Sequence, residues 1–332
     1  MSLGSPLGLH FDSSVSTHVD HPYSVDKLIG WWDFTDSSVV FTGDIGSLSA
    51  ASVGDPIKQI TNKANSDADN LGKFLRTFGS GNAANSSNLY GLTSINGNAF
   101  RFCSRDDNSS TNDLPFVASR VDGFGGVVNG NALGTSGTFS TSVINNHDLS
   151  VFFVIDSLYT NVIGNSQGDH FMGIGAKLSG FSDDGPPYEP GFRLTANISG
   201  DDWQWRSPSL DSSSLLEVTN LDSNIQLTTN VEAWSIINSS GTNGVKMYRN
   251  FDTSDGASTT ITNSGTDDGT NFQMDDGWFS LGGYALNKFH NGVFDESFVN
   301  VKIFEVLIYN KALTDYEKSI IENYIGSKYN IN

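Results

Sequence analysis

The chain has 332 residues, enough for one large domain with a substantial core, and its 37 acidic against 18 basic residues leave a formal charge of −19. That charge repels phosphate backbones and anionic headgroups, which excludes nucleic acid and lipid surfaces as partners. Thirty-five glycines lie among abundant Asn, Asp, Ser and Thr, the composition that many turns between many strands require. Cys103 is the only cysteine, so no intrachain disulfide exists and packing alone must hold the fold.

Residues 1–26 mix Ser, His, Pro and Asp without a period, which reads as an extended arm ahead of the main domain. The arm, with His10, His18, His21 and Tyr23, is read as an anchor onto neighbouring chains of a larger assembly; packing against its own domain is the alternative. His18 and His21 are three apart, and on an extended segment that spacing does not put both rings on one face to hold a metal. The first six residues lack the basic region and apolar core of a signal peptide, so export by the general secretory route is not expected.

The main domain should run from 27 to 332. A strand is expected near residues 28–34, then long polar loops over 44–112. Further strands are expected at 114–117, 148–156, 170–178, 191–198, 202–206, 225–229, 232–239, 244–250, 258–262, 270–274, 278–285 and 292–309. That spacing fits an antiparallel double sheet, and the longest apolar run, near 151–155, is too short to span a membrane. Val301, Ile303, Val306 and Ile308 read as the half-buried residues of the last strand. Thr314 then reads as a helix N-cap, with Glu317 as the returning half of a capping box. Tyr316, Ile320, Ile321, Tyr324 and Ile325 share one helical face, so a helix over 314–327 should dock on something apolar.

The ending YNKALTDYE at 309–317 and the helix after it resemble the C-terminal closure of laminin-G-like, concanavalin A-like jelly rolls. Weaker landmarks follow in order: LIGWWDF at 28–34, DLSVFFVI at 148–155, VKMYRN at 245–250 with Phe251 where the family has glycine, and LGGY at 281–284. The resemblance implies an all-β, two-sheet antiparallel jelly-roll sandwich with one C-terminal α-helix. It also implies a virion protein of a tailed phage, since such endings recur there as well as in bacterial surface proteins.

Some members of that fold are glycosidases that carry paired carboxylates on one strand face. None of the seven glutamates here, Glu189, Glu217, Glu232, Glu296, Glu305, Glu317 and Glu322, is followed two residues later by aspartate, and no two are expected to share a strand face. A polysaccharide-degrading enzyme is therefore the disfavoured reading. Trp203 and Trp205 share a strand face beside Asp201, Asp202 and Gln204, which suits stacking on sugar rings if exposed and ordinary core if buried. Aspartate doublets such as Asp106 with Asp107 and Asp183 with Asp184 offer the oxygens a calcium ion takes; solvated turns are the alternative, and no other cofactor is expected. The expectation from sequence is a non-enzymatic virion structural protein, a capsid decoration or a tail or fibre part. It would be assembled in the host cytoplasm, contact other virion proteins through the arm, and sit at the particle surface as a homo-oligomer or within a larger assembly, with host glycans as a further partner. A carbohydrate-binding module or surface adhesin is the alternative.

Overall fold

The protein is described by a computed structural model over residues 20–42, 47–52, 55, 59–64, 74–78, 92–94, 98–101, 116–120, 148–159, 169–177, 191–197, 202–207, 216–218, 231–239, 245–251, 275–281 and 300–331; in several strands only backbone pairing is described. A 3-10 turn, Pro22–Ser24, leads into β1 (Leu28–Asp33), β2 (Val40–Thr42), β3 (Ser49–Ala50) and β4 (Gln59–Thr61). Then come β5 (Phe74–Phe78), β6 (Leu92–Ser94), β7 (Asn98–Arg101), β8 (Phe116–Arg120), β9 (Leu149–Tyr159) and β10 (Asp169–Lys177). The chain continues through β11 (Gly191–Asn197), β12 (Asp202–Ser207), β13 (Leu216–Val218), β14 (Glu232–Asn238) and β15 (Val245–Arg249). It closes with β16 (Asp275–Leu281), β17 (Asn300–Tyr309) and α1 (Asp315–Tyr329).

The strands form two antiparallel sheets. In the first the order is β15-β14-β9-β17-β7-β6, with β1 also paired to β17; in the second it is β13-β12-β11-β10-β16-β8-β5-β4-β2-β3. The sheets meet where the Phe153 ring of β9 lies 4.8 Å from the Phe171 ring of β10. They meet again where the Trp205 indole N–H of β12 donates to the Asn238 side chain of β14 at 3.3 Å. The result is an antiparallel β-sandwich with one C-terminal helix.

The region 44–112, expected to be loop, contains five strands, β3 to β7. Some pair across short connections, as Phe41 with Ala50 and Leu92 with Phe100, while β5 and β7 also reach distant partners, Arg76 with Ala118 and Phe100 with Ile303. Strands of two to five residues leave too little period to read. The strand β13 was likewise unforeseen, while 225–229, 258–262, 270–274 and 292–299 lie outside the described residues.

Residues 303–309 of β17 are all buried, not half-buried as their sequence suggested. Alternation explains it, because successive side chains serve two different cores. On β9, Phe153 faces the second sheet, while Phe152 and Val154 belong to a cluster with Leu307, Tyr309, Ile321, Ile325 and Tyr329. The helix therefore covers the outer face of the first sheet.

Helix α1 begins as its sequence demands. The Thr314 hydroxyl accepts the Glu317 N–H, and the Glu317 carboxylate accepts the Thr314 N–H at 3.0 Å, a complete capping box. Its buried stripe is Lys318, Ile321, Glu322, Ile325 and Tyr329, with Ile320 and Tyr324 half-buried beside it and Tyr316 76% exposed. Tyr316 was thus assigned to the wrong face, because two charged residues occupy the stripe that a purely apolar pattern would skip. Lys318 is neutralised by Glu322 one turn on, at 2.6 Å, and its ammonium also sits 4.3 Å from the centre of the Tyr248 ring.

Two unusual backbone positions lock this end of the sandwich. Phe251 holds φ 67°, the left-handed region that favours glycine, and its ring lies against Gly326 of the helix. Asn330 ends the helix at φ 56°, and the Ile331 N–H returns to the Gly326 carbonyl at 3.1 Å. A Cβ at Gly326 would stand 2.9 Å from the Ile331 carbonyl oxygen and 3.3 Å from Phe251. Gly326→Ala should therefore destabilise the fold by about 1–3 kcal/mol, the cost of overpacking, although alanine is the better helix former. A urea midpoint at or above that of the parent chain would contradict this packing.

Candidate binding surface

The β-strand geometry brings two carboxylates side by side. Asp33 of β1 pairs directly with Glu305 of β17, and both point to the face covered by α1. Glu305 is 1% exposed, and four donors converge on it. One oxygen accepts the Trp31 indole N–H at 2.6 Å and the Tyr324 hydroxyl at 2.8 Å. The other accepts the Lys328 ammonium at 2.8 Å and the Tyr329 hydroxyl at 2.7 Å.

Lys328 also reaches Asp33 at 2.8 Å, so one ammonium bridges both carboxylates. Asp33 and Asp36 share a second ammonium, that of Lys63, at 3.0 and 2.9 Å. Burial, with the Asp33 charge adding to it, pushes the Glu305 carboxyl above its ordinary range against the pull of Lys328 and Tyr329. Burial also opposes ionisation of Asp33, but Lys328, Thr35 and Lys63 outweigh it and hold this carboxyl low. At Asp36 burial is again the opposing effect, and bonds from Ser38 and Lys63 bring the carboxyl to about 2.

The N-terminal turn closes this cluster toward solvent. The His21 ring stacks on Tyr23, with centroids 5.2 Å apart, and meets the edges of Trp31 and Tyr324 at 5.3 and 6.0 Å. Tyr23 donates its hydroxyl to the Lys63 carbonyl, and Lys63 places its ammonium 4.4 Å from the centre of the Trp31 ring. Among the described residues the only exposed large hydrophobics are Tyr23, at 49%, and Tyr316. The surface thus offers a stacked aromatic pair joined to Lys63 through the Tyr23 hydroxyl, and Lys63 in turn holds the half-buried Asp36 side chain.

Few of the residues singled out from sequence gather here. His21 and Tyr23, assigned to an assembly arm, are instead packed on their own domain, because Tyr309 donates to the Pro22 carbonyl at 3.0 Å and the rings find Trp31 and Tyr324. Residues 21–25 are thus packed against the same domain as β1 and α1. Trp205 is fully buried between the sheets, so it is core and presents no sugar platform. Asp202, Trp203 and Gln204 lie on β12 opposite Asn197, Ala196 and Thr195. Asp201, Asp106, Asp107, Asp183, Asp184, His10 and His18 lie outside the described residues. Sequence reasoning missed Asp33, Lys63, Glu305 and Lys328 as a group. The one available signal was Glu305 within the otherwise apolar run 303–309.

No protein-family model matches the chain, and no curated protein matches it. Among solved structures, the botulinum neurotoxin serotype D binding domain aligns over 87% of this chain and 51% of its own length, at 13% identity and a TM-score of 0.43. Trypanosoma rangeli sialidase in complex with sialic acid aligns over 91% of this chain and 33% of its own, at 10% identity and a TM-score of 0.37. The CBM40 of the Ruminococcus gnavus IT-sialidase, bound to alpha2,6 sialyllactose, aligns over 56% of this chain and 87% of its own, at 12% identity and a TM-score of 0.36. The chain thus spans about half the length of the first and a third of the second. Likeness at this level says nothing of activity. No helix among the described residues is long and apolar enough to cross a membrane.

Removing the Glu305 carboxylate should expose the cost of this cluster. Glu305→Ala strands the Trp31 indole N–H and the Tyr324 and Tyr329 hydroxyls, leaves the half-buried Lys328 ammonium with Asp33 alone, and should cost about 3–5 kcal/mol in urea unfolding. A single-variant loss below about 1 kcal/mol would mean that water satisfies the cluster instead.

Proposed function

We propose that this chain is a non-catalytic sandwich of jelly-roll, lectin-like type that binds carbohydrate. The observation that carries the reading is the exposed Tyr23 ring, stacked on His21 and bonded to the backbone of Lys63, whose ammonium is paired with the Asp36 carboxylate. The C–H face of a pyranose suits an aromatic ring, and its hydroxyls suit a neighbouring cation and anion that can donate and accept. The site is shallow, with a single exposed ring, and weak, avidity-dependent contact follows from that. The acidic charge of the whole chain disfavours heavily sulfated glycans.

The test is a panel of neutral and singly charged oligosaccharides presented multivalently to the full chain. Tyr23→Ala should weaken retention about tenfold or more, the equivalent of about 1.4 kcal/mol. Tyr23→Phe should retain binding, and no sugar should be released. Retention unchanged in Tyr23→Ala, or hydrolysis abolished by changing one acidic residue, would overturn the reading.

A second reading is display on a virus particle, supported by the likeness of the 309–317 ending to phage virion jelly rolls. In that setting residues 1–19 would be the anchor. A chain lacking them should keep its fold, because the turn at 22–24 stays in place, and should no longer join the particle.

A further inference from the structure

We propose that residues 20–25 form an acid-released clasp on helix α1 and β17, opened by protonation of His21. The inference stands apart from the carbohydrate reading and holds whether or not Tyr23 meets a sugar.

The clasp depends on two backbone acceptors and one ring nitrogen. His21 is the N-cap of the Pro22–Ser24 turn, and its Nδ1 accepts the Tyr23 N–H at 3.3 Å. The His21 carbonyl accepts the Ser24 N–H at 2.8 Å. The Pro22 carbonyl accepts both the Val25 N–H, at 3.4 Å, and the Tyr309 hydroxyl, at 3.0 Å. Because Nδ1 accepts, the single proton of the neutral ring sits on Nε2. A second proton would turn Nδ1 from acceptor into donor, aimed at another donor. The cap would be lost, and a cation would appear beside two others.

The surroundings decide whether that cost is recovered. Around His21 lie Tyr23 on its own turn, Tyr324 and Lys328 on α1 and Lys63 from the flanking loop, with the carboxylates of Asp33, Asp36 and Glu305 paired to those two ammoniums, the Tyr309 hydroxyl on the Pro22 carbonyl, and Asp20 next in sequence. The three carboxylates of the cluster are already committed to the two ammoniums at 2.8 to 3.0 Å, which leaves them little to offer an imidazolium. Partial burial, then Lys63 and Lys328, hold the His21 pKa below its ordinary value of about 6.5. The unfolded clasp therefore binds the proton more readily than the closed one. Closure is fully supported above that ordinary value and is lost as pH falls through the depressed one.

Hydrogen exchange by mass spectrometry on the full chain, from pH 8 to pH 5, tests this. Each rate is divided by that of the unstructured peptide at the same pH. Protection across residues 20–27 should fall about tenfold for each pH unit crossed between the two pKa values. The helix peptide at 321–329 should stay protected throughout. H21N keeps a capping oxygen that does not titrate, and should hold protection flat. Protection that is independent of pH in the parent chain overturns the proposal. So does the same loss in H21N, which would assign the transition to Glu305 and its neighbours, or loss at the helix in step with the clasp. Should H21N fold poorly, a proton titration of the His21 ring by NMR decides alone, and a value above about 6.5 overturns the idea.

Discussion

The structure turns on one buried carboxylate. Taking Glu305 out of water costs several kcal/mol, and a single partner would not repay it. Four donors from two other elements do: Trp31 from β1, and Tyr324, Lys328 and Tyr329 from α1. Each donor is itself immobilised by the arrangement. The carboxylate therefore fixes where β1, β17 and the helix stand relative to one another, a positional demand that greasy contact alone would not make.

That demand explains the rest of the outer layer. In the first sheet β1, β14 and the described side chains of β9 and β17 are buried, between the second sheet on one face and the helix on the other, so these strands carry apolar residues without alternation of character. The helix, by contrast, buries Lys318 and Glu322 with its isoleucines. Its docking surface is thus half polar, and each polar group is matched: Lys318 to Glu322 and the Tyr248 ring, Lys328 to Asp33 and Glu305. At the far end, Gly326 admits the Phe251 ring, whose strained backbone is offset by that contact.

The N-terminal turn shares in this economy. Its rings seal the charged cluster from water, while the cluster supplies the edges on which those rings rest. A surface built this way is rigid for a small contact, since Tyr23 is held by stacking and by its own hydroxyl. Rigidity of an exposed aromatic lowers the entropy lost when a ligand covers it. The same dependence makes the turn responsive to whatever changes the charge of His21.

Sequence alone determined the antiparallel, turn-rich class, the closing strand and the capped helix, because composition, alternation and a capping box are local and their physics acts within a few residues. Alternation also foretold that Trp203 and Trp205 would share a strand, but burial decides what a ring does, and only packing of the second sheet placed Trp205 in the core. The strands within 44–112 were illegible, since each is only two to five residues long and two of them, β5 and β7, also depend on hydrogen bonding to residues more than forty and two hundred positions away. The buried stripe of the helix was misread at Tyr316 because Lys318 and Glu322 look like solvent-facing residues until their partners are known. Glu305 was legible only as an oddity. That it, Asp33, Lys63 and Lys328 form one cluster followed from register between β1 and β17 and from the helix crossing above them, and register is a property of the folded chain.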